Sequence, residues 1–275
     1  MLDRLAADVI GMQYALASEH DADALRELCR AAALLAAFTA LTLGNLGRLN
    51  EARRWWRSAR RVADVCGDMQ TVLWVRGHEV VRALFEGRPP RTVVQLAEEA
   101  EALGVGASPT ALPRLMAGKA QALAMLSRAD EAEAALRQLR DIFAVLPAEA
   151  LRDDKPLTNT RESRLRFTET FVYAHLGETE RAEQAQQQAL ALYPASYTHG
   201  PVQVALLQAL CQVRSGDSVG GVRQALAAMT PLSATDRIRP VVALGYQVLS
   251  AVPVPDQRRA AVAELRDYLA RPAGL

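Results

Sequence analysis

Cysteine is scarce in this chain of 275 residues, which has only Cys29, Cys66 and Cys211. They are widely separated, and no two of them have Cys-x-x-Cys spacing. An odd, scattered set indicates neither a disulfide framework nor a thiolate metal site, and it favours a reducing, cytoplasmic compartment. Lysine is rarer still, with only Lys119 and Lys155, so arginine supplies nearly all of the 32 basic side chains. Together with the abundance of alanine, this indicates a codon bias rather than arginine-based chemistry.

An excess of charge of either sign is also missing. The 32 basic residues are matched by 31 acidic ones, for a formal net charge of +1, so no overall field draws the protein to nucleic acid or to an anionic membrane. The first twenty residues place acids among their apolar positions and therefore lack the apolar centre of a signal peptide. We also expect no apolar run of membrane-spanning length, which predicts a cytoplasmic protein that does not bind membranes.

Catalytic and metal-binding motifs are absent as well. The four histidines, His20, His78, His175 and His199, have neither HExxH nor HxxxH spacing. The sequence contains no GxSxG, no phosphate-binding loop and no dinucleotide-binding fingerprint. We therefore predict no enzyme, no metal and no cofactor. Half of the residues are hydrophobic, which excludes disorder as the main state.

What the chain does contain is a helical repeat. Segments such as "NLGRLNEARRWWRSA" and "HLGETERAEQAQQQA" share a turn residue that is followed by small residues five and twelve positions later. Glycine ends one helix in the conformation that a tight turn needs, and two small side chains seven residues apart let neighbouring helices approach closely. The turn residues are Gly47, Gly87, Ser127, Gly177 and Gly216, and the small residues after the first and fourth of them are Ala52, Ala59, Ala182 and Ala189.

This spacing is the tetratricopeptide signature, in which each repeat is an antiparallel pair of helices, A and B. It predicts an all-α fold: a right-handed solenoid of about five to six repeats with capping helices. The period is nearer forty residues than the usual ~34, because loops such as "GVGASPTALP" and "LPAEALRDDKPLTNT" lie between units. We expect one helical-repeat domain over residues 1–275, with an N-terminal cap and the first A helix in 1–46, repeats in 47–230, and the last pair and C-terminal cap in 231–275.

Four stretches carry a resemblance to a known family: "LNEARRWWRSARRVADVCGD", "LWVRGHEVVRALFEGRPP", "GKAQALAMLSRADEAEAAL" and "RLRFTETFVYAHLGETERAEQAQQQALALYP". From about residue 25 onward the chain resembles the C-terminal region of actinobacterial transcriptional regulators of the XRE (lambda-repressor-like) helix-turn-helix family. The resemblance implies a tetratricopeptide-like regulatory domain, which in that family usually follows a DNA-binding domain. That domain is absent from this chain, so we expect contact with DNA only indirectly, and a fragment and a stand-alone relative both stay open.

The inner, concave surface of such a solenoid, lined by the A helices, is the expected binding site. Aromatic side chains among arginine and glutamine suit a peptide, a small molecule or a protein partner. Packing of the same side chains against a cap, or against one another, is the alternative, and both stay open. The expected ligand-binding residues are Trp74, Arg76, His78, Glu79, Arg114, Gln121, Arg164, Arg166, Phe167, Glu169 and Phe171.

Two pairs of charged residues stand out within apolar A helices. Arg76 and Glu79 are three residues apart, and Arg166 and Glu169 repeat the arrangement. Side chains at this spacing are neighbours on a helix, so each pair can form a salt bridge. We favour structural ion pairs that fix the helix register, and a shared polar cavity is the alternative. An enzyme built within the solenoid would depend on these pairs alone.

Two further hypotheses concern outer surfaces. The stretch "RRWWRSARR" places Arg53, Arg57 and Arg60 on one face and adds Trp55 and Trp56 as aromatic surface, as a nucleic-acid site would. We favour a solvated, salt-bridged face instead, because B helices lie on the outside of the array. The alanine-rich stretch "AAALLAAFTALTLG" motivates the second hypothesis, a structural scaffold or homodimer that binds no ligand.

Overall fold

A computed structural model describes residues 2–152, 161–194 and 196–271. The fold is all-α, as predicted, and no strand occurs in these ranges. Three short 3₁₀ turns accompany the α-helices. The helices are α1 (Leu2–Ser18), α2 (Ala22–Asn45), α3 (Leu49–Cys66), α4 (Met69–Phe85), α5 (Pro90–Leu103), α6 (Pro113–Met125), α7 (Ala129–Val145), α8 (Ala148–Arg152), α9 (Glu162–Leu176), α10 (Thr179–Ala191), α11 (His199–Arg214), α12 (Ser218–Met229), α13 (Arg239–Ala251) and α14 (Ala260–Ala270).

The predicted turns are confirmed by the backbone. The five predicted turns, which connect α2 to α3, α4 to α5, α6 to α7, α9 to α10 and α11 to α12, each contain one residue in the left-handed region, where a side chain is strained and glycine is not. Four of these residues are glycines, and Ser127 takes the same conformation at φ 57°. The five residues and their φ angles are Gly47 (74°), Gly87 (74°), Ser127 (57°), Gly177 (78°) and Gly216 (102°).

Helices that follow each other in sequence pack as pairs, which gives a repeat-like architecture. The pairs are α2 with α3, α4 with α5, α6 with α7, α9 with α10, α11 with α12, and α13 with α14. The predicted small positions lie where the two helices of a pair meet. Ala52, Ala59, Ala182 and Ala189 are completely buried there, and larger side chains would push the helices apart.

The first helices of successive pairs also contact one another, from α2 through α4, α6, α9 and α11 to α13. We call these six the inner helices. Two glycines allow a very close crossing of α4 and α6. A Cβ on Gly77 would lie 3.2 Å from the Cβ of Arg114, and one on Gly118 would lie 2.6 Å from Val80 Cγ1. The two helices therefore lie very close together at this crossing.

The row of inner helices returns on itself. α13, in the last pair, contacts both α4 and α2. Arg239 Nε donates to the carbonyl oxygen of Phe85 at 2.9 Å, although the two residues are 154 positions apart. The inner helices therefore surround a space at the centre of the molecule.

The predicted loop "LPAEALRDDKPLTNT" contains the short helix α8, and its residues 153–160 lie outside the described residues.

The expectation that no apolar run reaches membrane-spanning length is wrong, since α2 is long and apolar enough, with a mean hydropathy of 1.4. The buried helices of soluble proteins pass the same test. In α2 the side chains of Ala33, Ala36 and Ala37 are buried in a cluster with Trp56 of α3.

Candidate functional site

The inner helices surround a cavity of about 650 Å³. All six contribute to the lining, together with α7 and with Tyr193, Pro194, Ser196 and Tyr197 between α10 and α11. The contributions follow helical spacing, in which positions three, four and seven apart share a face. On α4 these are His78, Val81, Arg82 and Phe85. The cavity is therefore lined by one face of each inner helix, which is the surface where the sequence predicted a binding site.

Three arginines on adjacent inner helices reach this cavity: Arg82 on α4, Arg114 on α6 and Arg164 on α9. Arg82 donates a hydrogen bond from Nη2 to the side-chain oxygen of Asn45, while its Nε is buried without a partner. Neither Arg114 nor Arg164 has a side-chain hydrogen bond or an ion pair with another residue in the described part of the chain. Arg164 is accessible to solvent even though the cavity lies deep in the molecule.

Burial and the repulsion between like charges together lower the pKa values of these arginines. Burial lowers the pKa of Arg82 to about 10, and Arg164 lowers it further while Glu86 opposes the shift. Burial is also the main reason why the pKa of Arg114 lies well below its usual value, and the charges of Arg164 and Arg82 add to the effect. The pKa of Arg164 is lowered as well, again mainly by burial. The cavity therefore disfavours the positive charges that it holds, and a bound anion would stabilise them.

His78 joins the same site as a neutral group. Burial lowers its pKa well below the ordinary value of 6.5, and the charge of Arg114 lowers it further. Its Nδ1 lies 2.8 Å from the carbonyl oxygen of Trp74 and donates to it. The centroids of the His78 and Trp74 rings lie 3.7 Å apart with the rings tilted by 33°, and the centroids of the Phe38 and Trp74 rings lie 5.8 Å apart. An aromatic column thus supports the wall formed by α2 and α4.

The remaining wall is largely apolar. Phe167 of α9 lines the cavity and lies 6.5 Å from Phe171. Phe171 is fully buried behind it and meets Phe85 edge-on at 6.2 Å. Phe143 of α7 and the half-buried Phe38 add two more rings to the lining. A ligand in this cavity would therefore meet both charged and aromatic side chains.

The eleven residues predicted from the sequence fall into three groups. Those that line the cavity are His78, Arg114, Gln121, Arg164 and Phe167. Trp74 and Phe171 pack directly behind lining residues, through the ring contacts given above. The third group lies away from the cavity, between A and B helices, and consists of Arg76, Glu79, Arg166 and Glu169.

The expected pair between Arg76 and Glu79 is wrong. Arg76 Nη2 donates to Asp64 Oδ2 at 3.0 Å. Glu79 is buried and accepts a hydrogen bond from Arg88 Nη1 at 2.7 Å. It also forms an ion pair with Arg60, whose Nε lies 3.2 Å from Glu79 Oε2. Two arginines from α3 and from the turn after α4 replace the expected partner, because Glu79 points to the preceding B helix and Arg76 lies at the rim of that contact.

The second pair forms as expected, with one addition. Arg166 Nη1 lies 3.0 Å from Glu169 Oε2. Arg140 of α7 donates from Nε to Glu169 Oε1 at 2.7 Å and from Nη2 to the hydroxyl of Tyr173 at 2.5 Å. The carboxylate thus joins α9 to the preceding B helix, as Glu79 joins α4 to α3. Both carboxylates are paired with arginines of this chain, although Arg88 Nε is buried without a hydrogen-bond partner. These pairings favour the structural interpretation expected from the sequence.

Several lining residues were missed by the sequence interpretation. Arg82 and Phe85 follow His78 at four and seven positions, so the helical spacing of α4 alone could have placed them. Tyr193 and Tyr197 come from the segment between α10 and α11, where no helical pattern applies. Burial, together with the nearby Tyr197, raises the pKa of Tyr193 above its usual range.

The stretch "RRWWRSARR" offers less surface than the nucleic-acid hypothesis needs. Trp56 is completely buried and donates from Nε1 to Glu86 Oε1 at 3.1 Å. It therefore adds no aromatic surface, contrary to the expectation. Arg60 is bound to Glu79, as described above, and Arg53 Nη2 donates to the carbonyl oxygen of Glu86 at 3.3 Å. Two of the three arginines on this face are thus used inside the protein.

Comparisons with known proteins leave the chain without an assigned family. A scan against models of protein families finds no match to this sequence, and a search of curated proteins finds none either.

Proposed function

We propose that this chain is the sensor or interaction domain of a transcriptional regulator, and that it binds a small molecule in its central cavity. In this proposal the helix pairs form a right-handed, tetratricopeptide-like solenoid, and the protein works in the cytoplasm without being an enzyme. DNA would be contacted through a helix-turn-helix domain outside this chain. The resemblance in sequence motivates the regulatory part of the proposal, and the cavity motivates the binding part.

The observation that carries the binding proposal is the enclosure of the cavity by all six inner helices. α13 returns to α4, and the Arg239–Phe85 hydrogen bond holds the two together. A volume of about 650 Å³ falls within the ~300–1,000 Å³ of small-molecule sites. A folded partner protein or a long peptide would need an open groove. We therefore favour a small molecule over the other two ligands expected from the sequence.

The alanine-rich stretch that motivated the scaffold or homodimer hypothesis packs within the chain. The alanine-rich stretch of α2 that suggested it has Ala33, Ala36, Ala37 and Ala40 buried against its own neighbours. Its apolar face is therefore occupied within the chain, and it offers little surface for a second copy.

A variant that fills the cavity tests the proposal. Ala117 of α6 lines the cavity, so Ala117→Trp should displace a ligand while leaving the exposed side of α6 unchanged. The matched control is Ala102→Trp, which makes the same change at an exposed position of α5. Native mass spectrometry of protein purified from its own host is the measurement. We expect a retained small molecule in the wild type and in Ala102→Trp, and its loss in Ala117→Trp.

The proposal fails if the wild type retains no small molecule, or if Ala117→Trp retains it as well as the control does. Circular dichroism at 222 nm establishes that both variants keep their helices before the comparison is made.

A further inference from the structure

We infer that the ligand is an amphipathic oxyanion, with a carboxylate or phosphate group held by Arg82, Arg114 and Arg164 and an apolar body against the phenylalanine wall. This inference rests on the proposed binding function and specifies the chemistry that the cavity recognises.

The distribution of charge in the lining is the first argument. The chain as a whole carries nearly equal numbers of basic and acidic residues, so a random selection of lining residues would contain both. The described lining contains four arginines, Arg161 being the fourth, and no aspartate or glutamate. Basic residues are therefore concentrated in this cavity, where a low dielectric constant strengthens their attraction for an anion.

The state of the individual arginines is the second argument. Two arginines between A and B helices are paired with buried acids, Arg88 with Glu79 and Arg140 with Glu169, and Arg214 and Arg239 donate to backbone carbonyl oxygens. Arg114 is half-buried and Arg164 is exposed to solvent, and neither has such a partner among the described residues. With no acid beside them, their like charges repel each other, and this repulsion contributes to the lowered pKa of Arg114. An oxyanion that bridges the two groups would offset the repulsion, which makes them a binding site rather than part of the scaffold.

The arrangement of the three arginines is the third argument. They lie on α4, α6 and α9, which contact one another in that order. Aromatic side chains line the same cavity. Phe85 and Phe167 come from α4 and α9, three residues after Arg82 and Arg164, and Phe38 of α2 and Phe143 of α7 add two more rings. A small inorganic anion would contact only the cations, whereas an acid with an aromatic or branched body would contact both kinds of group.

Carboxylate and phosphate share the chemistry that these residues recognise, since a guanidinium group donates two parallel hydrogen bonds to either. Three guanidinium groups offer more donors than the two oxygens of one carboxylate accept well. We therefore expect a phosphate group to bind more tightly than a carboxylate.

Three probes with the same ring system separate charge from shape: 1-naphthyl phosphate, 1-naphthoate and 1-naphthol. Isothermal titration calorimetry on the full chain measures their affinities. We expect both anions to bind at least about ten-fold more tightly than 1-naphthol, the factor associated with one hydrogen bond to a charged group. Arg114→Gln and Arg164→Gln should each weaken both anions by about ten-fold or more and leave 1-naphthol within about two-fold.

Arg137→Gln is the matched control, because Arg137 lies on α7 and is exposed to solvent. It should leave all three affinities unchanged. Arg164→Gln is the safer of the two test variants for folding, since Arg164 is accessible to solvent and has no side-chain partner among the described residues whose loss would destabilise the protein. Circular dichroism verifies that the variants are folded.

Equal binding of 1-naphthol and the anions overturns the inference but leaves the binding function intact. Binding of none of the three at millimolar concentration also overturns it. Failure of the binding function itself is recognised separately, by the absence of a retained host molecule or by its persistence in Ala117→Trp.

Discussion

Glu79 and Glu169 show how a single residue type stabilises this protein at equivalent places. Both carboxylates are buried, and in both an arginine of the preceding B helix holds them, Arg60 for Glu79 and Arg140 for Glu169. Each cluster therefore joins one helix pair to the next. Removing one member of such a cluster leaves the other charges buried without compensation, which costs far more than an exposed ion pair contributes.

Replacing Glu79 by glutamine should accordingly lower the free energy of unfolding by about 3 kcal/mol, because Arg60 and Arg88 both lose their partner. The matched control is Glu51→Gln. Glu51 pairs with Arg48 at 2.6 Å, but both side chains are exposed, so the change should be about 0.5 kcal/mol or less. Urea unfolding measures both. If the two variants are equally stable, the cluster is not structural and Glu79 has to be reconsidered as part of a site.

The connection between the two helices of a pair depends on one backbone position. Gly177 has φ 78° and Ser127 has φ 57° at equivalent places. Nothing lies within 4 Å of a Cβ added to Gly177, so a side chain there meets backbone strain and no clash. The sequence indicated this equivalence, because each residue precedes a buried alanine by five positions, Ala182 after Gly177 and Ala132 after Ser127.

Exchanging these two residue types should have effects of opposite sign. Gly177→Ser should cost about 1 kcal/mol, since a side chain is forced into the left-handed region. Ser127→Gly should stabilise the protein by up to about 1 kcal/mol, a gain that the greater freedom of glycine in the unfolded chain reduces. Urea unfolding of the two single variants is the measurement. Changes of the same sign would mean that contacts, and not the backbone conformation, decide the stability of these turns.

At the scale of the whole molecule, α13 of the last helix pair packs against helices of the first two pairs. It contacts α2 and α4, and it also meets α9 through Gln247 and His175, whose side-chain atoms lie 3.1 Å apart. The His175 ring stacks on Phe171 at 4.0 Å, and its Nδ1 lies 2.8 Å from the carbonyl oxygen of Phe171. Arg214 donates to the carbonyl oxygens of Ala174 and His175. A proton on His175 would therefore be buried next to a fixed positive charge.

This burial predicts a loss of stability in mild acid. Desolvation lowers the pKa of His175 from 6.5 to about 4, and the charge of Arg214 contributes to the shift. Between pH 6.5 and 4 the unfolded state binds a proton at this residue and the folded state does not. Stability therefore falls as the pH falls through this interval, and His175 accounts for about 2 kcal/mol of the loss at pH 5.

Unfolding by urea at pH 7 and at pH 5 measures this loss. His175→Gln should reduce the difference between the two pH values by about 2 kcal/mol. His20→Gln is the control, because His20 is exposed and its replacement should leave the difference unchanged. An unaltered pH dependence in His175→Gln would show that other groups are responsible, with the buried His78 the next to be tested.

The amino-acid sequence by itself determined the helix pairs. Gly47, Gly87, Gly177 and Gly216 mark the turns. After Gly47 and Gly177, the buried alanines five and twelve positions later mark where the two helices of a pair meet. These features depend on φ angles and on spacing along a single helix, so neighbours in the chain are enough to specify them. The tetratricopeptide-like solenoid and its handedness stay predictions, because they concern how successive pairs are rotated relative to one another.

Only the tertiary structure decided where the cavity lies and which arginines line it. Arg114 and Arg164 come from helices far apart in sequence, and nothing local distinguishes them from Arg140 or Arg88, which bind acids. The difference arises because α13 packs against α4, and the hydrogen bond between Arg239 and Phe85 joins the last helix pair to an early one. An arginine that then faces the interior finds no acid beside it, whereas one that faces the next helix does.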